Sequence, residues 1–431
     1  MAIATTYQIT EYGSFVSGKE VPGCVCLPEK TFAQLEAFLL ANRNRDTDAL
    51  ELMGISARKG VGKIITAKNY IGLITMKDGT TIEILPKIHS KVEGSVKSLV
   101  IDMLKALRSS PYKSLQSSHV DVEKMALFEI FIRMFIDEAF RLVKHGLKSN
   151  YETIQENEGF VKGKLMFNEH IKRNYAHRER AFVEYDEFNN NRVENRLIKS
   201  TLLYLYRKTS STKNKTDLKT LLSAFSEVQP SGDTKGDFGK CVPDRNMKDY
   251  ETVLMWCKIF LSGQGFTSFE GTEVAYALLF PMETLFESYI ATMMRKAFPE
   301  RDFSVAAQDQ KYHLFDFPGK RFLMKPDLVV TRKEDGAIFV MDTKWKLLSV
   351  NKPHYGISQP DMYQMYAYQK KYGAETITLL YPLTDEVPYG EEIVFRSNDG
   401  VTVRVEFIDL FRTKESLAKI YMRLRNCSNE Q

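Results

Sequence analysis

The sequence predicts a multidomain α+β protein: a β-rich N-terminal domain over residues 1–95, a mainly helical region over 96–271 and a C-terminal α/β domain over 272–431. Three observations lead there. A chain of 431 residues is longer than one hydrophobic core fills. Its apolar spacing changes from strand-like to helical near Ser95. Beyond Phe280 helical and strand-like stretches follow one another, the pattern of helices packed on a central sheet.

In the first region, "PEKTFAQLEAFLLANR" (Pro28 to Arg43) sets Phe32, Leu35, Phe38 and Leu39 on one helical stripe opened by a proline. "NYIGLITMKDGTTIEILPKI" reads as two strands around Asp78-Gly79, a dipeptide suited to a tight hairpin. In the middle, "EKMALFEIFIRMFIDEAFRLVKHGL" is a helix that stops at Gly146, and "NRLIKSTLLYLYRK" is another. The polar runs "KTSSTKNKTD" and "SGDTKGDFGK" read as exposed loops. Between the two helices a basic stretch gathers Lys162, Lys164, Lys172, Arg173, Arg178 and Arg180; it suits a solvated face, nucleic acid or an acidic protein surface. The last region runs helix ("METLFESYIATMMRKAF"), three strands ("FSVAAQDQKYHLF", "RFLMKPDLVVT", "AIFVMDTKWKLL"), helix ("DMYQMYAYQKKY", closed by Gly373) and strand ("TITLLYPL").

Composition excludes several classes. Hydrophobic residues at 43% and charged residues at 27% leave little room for extensive disorder. The net charge of +5 is compatible with a polyanionic partner without singling one out. Five scattered cysteines argue against a disulfide framework, and Cys24-x-Cys26 lacks a second ligand pair at zinc spacing. No signal-peptide pattern opens the chain and no apolar run approaches the ~20 residues of a membrane helix, so a cytoplasmic protein without membrane association is expected. "ARKGVGK" (Ala57 to Lys63) lacks the spacing of a phosphate loop, and Ile64 stands where that loop has a hydroxyl, so no nucleotide hydrolysis is expected.

The chemistry concentrates near Asp342 and Lys344. If "KEDG" (Lys333 to Gly336) is a hairpin loop, Arg332 pairs with Ala337, and counting back sets Asp327 opposite Asp342. Lys344 then shares a face with Asp342. Two facing carboxylates repel, and burial raises the cost of their charge. A divalent cation relieves both problems, and oxygen-only ligands favour Mg²⁺, or Mn²⁺, over zinc. Such an ion orients a phosphodiester and activates water, while an ammonium beside it favours an anionic transition state. Taken alone, Asp342 and Lys344 are more simply an ion pair on an exposed strand. Their apolar flanks Phe339, Val340 and Met341 argue against full exposure.

"PDLVV" followed by "DTKWK" resembles the PD-(D/E)xK nuclease motif, whose core runs helix, three strands, helix, strand. "LFESYI", "KPDLVV", "DMYQMYAYQKKY", "IEILPKI", "HGLKSNYETIQENEGFVKGKL" and "EYDEFNNNRVENRLIK" together resemble the McrC family, the nuclease subunit of McrBC-type modification-dependent restriction systems. The likeness covers most of Ile71 to Pro382. It implies a restriction-endonuclease-like C-terminal domain in which Asp327 and Asp342 hold the metal, with Glu287 near it, and Lys344 and Gln364 complete the catalytic set. Glu287 beside Glu283 also suits a solvated helix face, and Tyr368, one turn from Gln364, suits core or surface as well as the site. Lys346 reads as a solvated lysine and Trp345 as core. The resemblance further implies double-stranded DNA as substrate. An McrB-like AAA+ GTPase ring would be the partner that recognises modified cytosine, docks the N-terminal and helical parts and is stimulated by them. A non-catalytic activator of that motor and a stand-alone repair nuclease are the competing readings.

Overall fold

The computed structural model describes residues 5–41, 52–76, 79–88, 93–107, 126–241, 247–262, 274–383 and 392–426. They divide into two compact units, one of Met1–Leu127 with Phe266–Gln431, the other of Phe128–Gly265. Asp78 of the expected hairpin, and Cys427, lie outside the described residues.

The first unit opens with strands β1 (Thr6–Thr10), β2 (Ser14–Ser17) and β3 (Cys24–Leu27), helix α1 (Glu29–Ala41), strands β4 (Met53–Arg58), β5 (Gly62–Ala67), β6 (Tyr70–Met76) and β7 (Thr81–Leu85), and helix α2 (Glu93–Ala106). β3, β2, β5 and β4 form one sheet in that order. The apolar stripe of α1 (Phe32, Leu35, Phe38, Leu39) is buried in a core shared with Phe15, Ile65, Ile74 and Ile82. "ARKGVGK" is the turn between β4 and β5, with Arg58 opposite Gly62, and Lys63 pairs with Glu36 at 2.6 Å. A phosphate loop needs a strand running into a helix; this is a β-hairpin.

The second unit holds α3 (Leu127–His145), β8 (Asn150–Glu158), β9 (Lys164–Leu165), α4 (Phe167–Asn174), β10 (Ala181–Asn189), α5 (Val193–Lys208), α6 (Thr212–Ala224), α7 (Thr234–Lys240) and α8 (Lys248–Ser262). α3 stops where expected, before Gly146 at φ 89°. The mainly helical expectation for this stretch misses the sheet β8-β10-β9. Its strands, such as "NYETIQENE", are largely polar and exposed, so they lack the alternation that marks a half-buried strand. Both expected loops also need correction. "KTSSTKNKTD" runs into α6, whose N-terminus is capped by the Ser211 side chain, and "SGDTKGDFGK" contains α7, capped by Asp233. Ser and Asp favour loops and helix caps alike, and here they cap.

The chain then returns to the first unit. β11 (Val274–Pro281) pairs antiparallel with β6 and completes the sheet β1-β7-β6-β11. The approach is close enough to demand glycine: at Gly72, φ 135°, a Cβ would lie 1.9 Å from the Leu278 carbonyl oxygen. After it come α9 (Met282–Ala297), β12 (Phe303–Ala307), β13 (His313–Phe315), β14 (Arg321–Leu323), β15 (Leu328–Arg332), β16 (Ile338–Thr343), α10 (Gln359–Tyr372), β17 (Thr376–Pro382), β18 (Ile393–Arg396), β19 (Thr402–Ile408) and α11 (Thr413–Asn426). Six of these strands form a mixed sheet ordered β12-β15-β16-β17-β19-β18, and β13 and β14 form a separate hairpin. "FSVAAQDQKYHLF" and "RFLMKPDLVVT", each expected as one strand, are each two, because that hairpin interrupts them. α10 ends at Gly373 in the left-handed conformation. The protein is thus a mixed α/β assembly of several sheets and helices. Among the described residues no helix is long and apolar enough to cross a membrane.

Candidate active site at two strand ends

The loop "KEDG" fixes the register. Arg332 N donates to Ala337 O at 2.9 Å, and Gly336 N donates to Arg332 O at 3.0 Å, with Gly336 at φ 77°. Asp335 clamps the loop through Arg332 Nε (2.9 Å) and Nη2 (2.6 Å). The pairing continues to Leu328 opposite Met341, so one step further Asp327 faces Asp342. This is the placement counted from the sequence.

Asp342 is only 2% exposed, whereas Asp327 is half-buried. Thr343 holds Asp327: its backbone N and Oγ1 both donate to Oδ2, at 2.7 and 2.6 Å. The Lys344 ammonium lies 2.7 Å from Asp342 Oδ2. At that distance the ammonium pairs directly with the buried oxygen. Lys344 Nζ also donates to Gln364 Oε1 at 3.4 Å and lies 3.6 Å from Asp361 Oδ1. Gln364 in turn donates to the Tyr368 hydroxyl at 2.8 Å, so the two share one patch.

Electrostatics follow from this packing. Burial, then the charge of Asp327, pushes the Asp342 carboxyl up to about 7 against the pull of Lys344. Burial also raises Asp327, with the Thr343 bonds opposing. For Lys344 burial works against the charge, yet Asp342, Asp361 and Asp327 hold its pKa above the ordinary value.

Glu287 on α9 is engaged elsewhere, accepting from Gln308 Nε2 at 2.7 Å. Among the described residues no three His, Cys, Asp or Glu side chains are grouped to hold a metal. The pair Asp327 and Asp342 still fits a hard divalent cation. It offers only carboxylate oxygen, and two acids brought together with one of them buried gain from a cation between them. Mg²⁺ is commonly held by one or two carboxylates, with water and phosphate oxygens completing its shell.

Four further residues organise the site and escaped sequence reasoning. Gln308 N donates to the Asp327 carbonyl at 2.8 Å while its side chain reaches Glu287, linking the two acids, with its own φ at 52°. Asp361 gathers Lys344 and Lys346, the latter at 2.9 Å. Thr343 sits inside the quoted motif and could have been suspected there. Glu11 could not: 334 positions away in sequence, it receives Trp345 Nε1 at 3.0 Å on both oxygens. Trp345 is buried as expected, edge-on to Phe286 at 5.3 Å.

Fold and site together define a mixed α/β protein with an acid pair, one member buried, and a lysine at one sheet end. The chain belongs to the McrBC family: the model for "McrBC 5-methylcytosine restriction system component" matches residues 65–382. No curated protein matches. Among solved structures it is similar to a chain of the Thermococcus gammatolerans tetradecameric assembly of McrB AAA+ hexamers with bound McrC. The TM-score is 0.64 at 18% identity, covering 97% of this chain and 100% of that one. A chain of the cryo-EM structure of the McrBC complex from the same organism aligns at TM-score 0.47 and 20% identity, over 68% of this chain and 88% of that one.

Proposed function

We propose that this protein is the nuclease subunit of a McrBC-type restriction system, cutting double-stranded DNA by metal-assisted phosphodiester hydrolysis. The observation that carries this reading is the facing pair Asp327 and Asp342, the latter buried, with the Lys344 ammonium 2.7 Å from Asp342 Oδ2. On this reading α9, β12, β15, β16, α10 and β17 are a PD-(D/E)xK, restriction-endonuclease-like core, whose helix, three strands, helix, strand order they reproduce around the β13–β14 insertion.

Asp327 and Asp342 would hold Mg²⁺ or Mn²⁺; when bound, the ion supplies a water of lowered pKa and shields phosphate charge. The chain's own residues do the rest. Thr343 fixes the Asp327 carboxylate from two sides. Lys344 stays protonated because three acids surround it, so its ammonium can stabilise the negative charge that develops on phosphate oxygen. Gln364, backed by Tyr368, gives that ammonium a second acceptor besides Asp342. Glu287 would influence the ion through Gln308 and the Asp327 backbone.

The partner on this reading is an McrB-like AAA+ GTPase ring that recognises modified cytosine and whose turnover this chain stimulates. Support comes from the family and from the likeness to an assembly of McrB hexamers with bound McrC. The second unit would dock through its basic stretch, where exposed Phe167, Ile171 and Tyr175 lie in the same segment as Lys172 and Arg173.

The test is cleavage of modified duplex DNA with the motor present. Activity is expected to need Mg²⁺ or Mn²⁺, to stop in chelator and to vanish in Asp342→Ala. Asp327→Ala is expected to stop cleavage yet leave stimulation of the motor's GTP turnover intact. Full cleavage by Asp342→Ala would remove the site assignment, and loss of stimulation in Asp327→Ala would show that the two functions are not separable.

A further inference from the structure

Between the two residues that flank the acid site, the chain makes an excursion. Gln308 N bonds the Asp327 carbonyl at 2.8 Å, closing residues 309–326 into a loop whose two ends both lie at the site. Within it β13 and β14 pair, His313 with Leu323 and Phe315 with Arg321. The hairpin is anchored at its base, where Met324 N donates to Tyr312 O at 2.9 Å and Tyr312 stands edge-on to Tyr372 at 4.7 Å, and at its turn, where Lys371 binds Asp316 at 2.6 Å. The side chains between these anchors leave an unusual exposed surface. Phe317 is 90% exposed and Phe322 73%, and Phe322 packs edge-on against Phe315 at 5.9 Å. Phe322 also has φ 56°, a left-handed conformation that bulky side chains rarely adopt and that clusters at functional surfaces. Lys320 and Arg321 are exposed beside these rings, and Lys325 lies close enough to Asp327 to act on its charge.

Exposed aromatic rings on a firmly anchored arm, flanked by cations, match one class of partner well. We propose that the β13–β14 hairpin is a DNA wedge: Phe317 inserts at a base step of the duplex next to the cut site, and Lys320, Arg321 and Lys325 grip the flanking phosphates. Apolar wedges unstack and kink a duplex, while lysine and arginine pair with its backbone. A second copy of the chain fits less well. In a two-fold interface built on this arm, Lys320 and Arg321 of each copy would face their own kind, and like charges brought together oppose association. The inference rests on the nuclease reading for its choice of duplex and extends it to how the duplex is held.

The experiment uses the full chain, without added metal, and a duplex carrying 2-aminopurine at successive steps. Wild type is expected to raise the fluorescence at one step. Phe317→Ala is expected to abolish that rise and weaken binding on the order of tenfold. Lys320→Ala with Arg321→Ala is expected to lower the slope of log affinity against log salt by about one for each phosphate no longer gripped. Both changes are at exposed positions, and sedimentation reports the state of every variant. No fluorescence rise with wild type, or an undiminished rise in Phe317→Ala, overturns the wedge. So does a Phe317→Ala variant that only converts a dimer to a monomer. Cleavage with the motor and Mg²⁺ is read in parallel: unstacking without any cleavage would leave the wedge standing and remove the nuclease reading, and cleavage without unstacking would do the reverse.

Discussion

Two buried carboxylates, one in each unit, are treated in opposite ways. Glu129 on α3 is surrounded by donors: Thr209 Oγ1 at 2.6 Å, Ser210 N at 2.7 Å and Oγ at 3.0 Å, and Asn214 Nδ2 at 2.8 Å. It organises the turn before α6, and its role is structural. Asp342 is at least as deeply buried, yet it faces another acid and has a cation, Lys344, as its close partner in place of a set of neutral donors. Burying one acid against another costs stability, and folds tolerate that where a ligand or reaction uses the groups. Glu11 lies between these cases: Lys87 N at 2.9 Å and Trp345 Nε1 at 3.0 Å satisfy it in part, and burial still pushes its carboxyl up to about 7. What separates Glu129 from Asp342 is the set of neutral donors around the first and the facing acid beside the second, not burial.

The largest effect that tests this contrast is the loss of cleavage in Asp342→Ala without loss of stability. Glu129→Ala should do the reverse, lowering unfolding free energy on the order of 3 kcal/mol because several donors lose their acceptor at once. Urea denaturation of both variants reads the difference. An Asp342→Ala chain that unfolds as early as Glu129→Ala would erase the distinction.

A smaller effect belongs to Glu11. Its folded pKa, about 7, lies above the ordinary 4.5, so the native state holds this proton more tightly than the unfolded chain. Its contribution is therefore fully present below pH 4.5 and is lost as pH rises through 7. Glu11→Gln removes that loss. Its urea midpoint relative to wild type should move in the variant's favour between about pH 5 and pH 8, and a constant difference across that range would show that Glu11 is fully satisfied.

The smallest expected change in stability is at Lys172 and Arg173. They pair with Glu169 at 3.3 and 3.2 Å at an exposed site, and surface pairs of this kind contribute little. Reversing both to Glu should leave the unfolding midpoint nearly unchanged while weakening assembly with the motor and stimulation of its GTP turnover more than DNA binding by the chain alone. Light scattering and salt-dependent anisotropy separate the outcomes. Normal assembly with weakened DNA binding would assign the stretch to DNA, and no change in either would leave it a solvated face.

Some of this was legible in the sequence for a clear reason. A four-residue loop allows one natural register, so Asp327 could be counted into place opposite Asp342 without coordinates. Gln364 and Tyr368, one helical turn apart, could be placed on one patch by the same kind of local rule. Local rules failed where the same residues serve two structures. Ser211 and Asp233 cap helices that their polar neighbours disguised as loops, and the polar strand β8 carries too little apolar alternation to be seen.

The sequence by itself determined the short-range geometry: the apolar stripe of α1, the α10 terminus at Gly373, the β15–β16 register and the family. These depend on helical and strand periods and on turn chemistry, which act over a few residues. Only the tertiary structure decided that Gln308 links Asp327 to Glu287, that Asp361 shares Lys344 with Asp342, and that Glu11 receives Trp345. It also decided that β11 closes the sheet begun by β1, β7 and β6. Each of these joins positions far apart in the chain, and no local period carries that information. The packing of two sheets and their helices does.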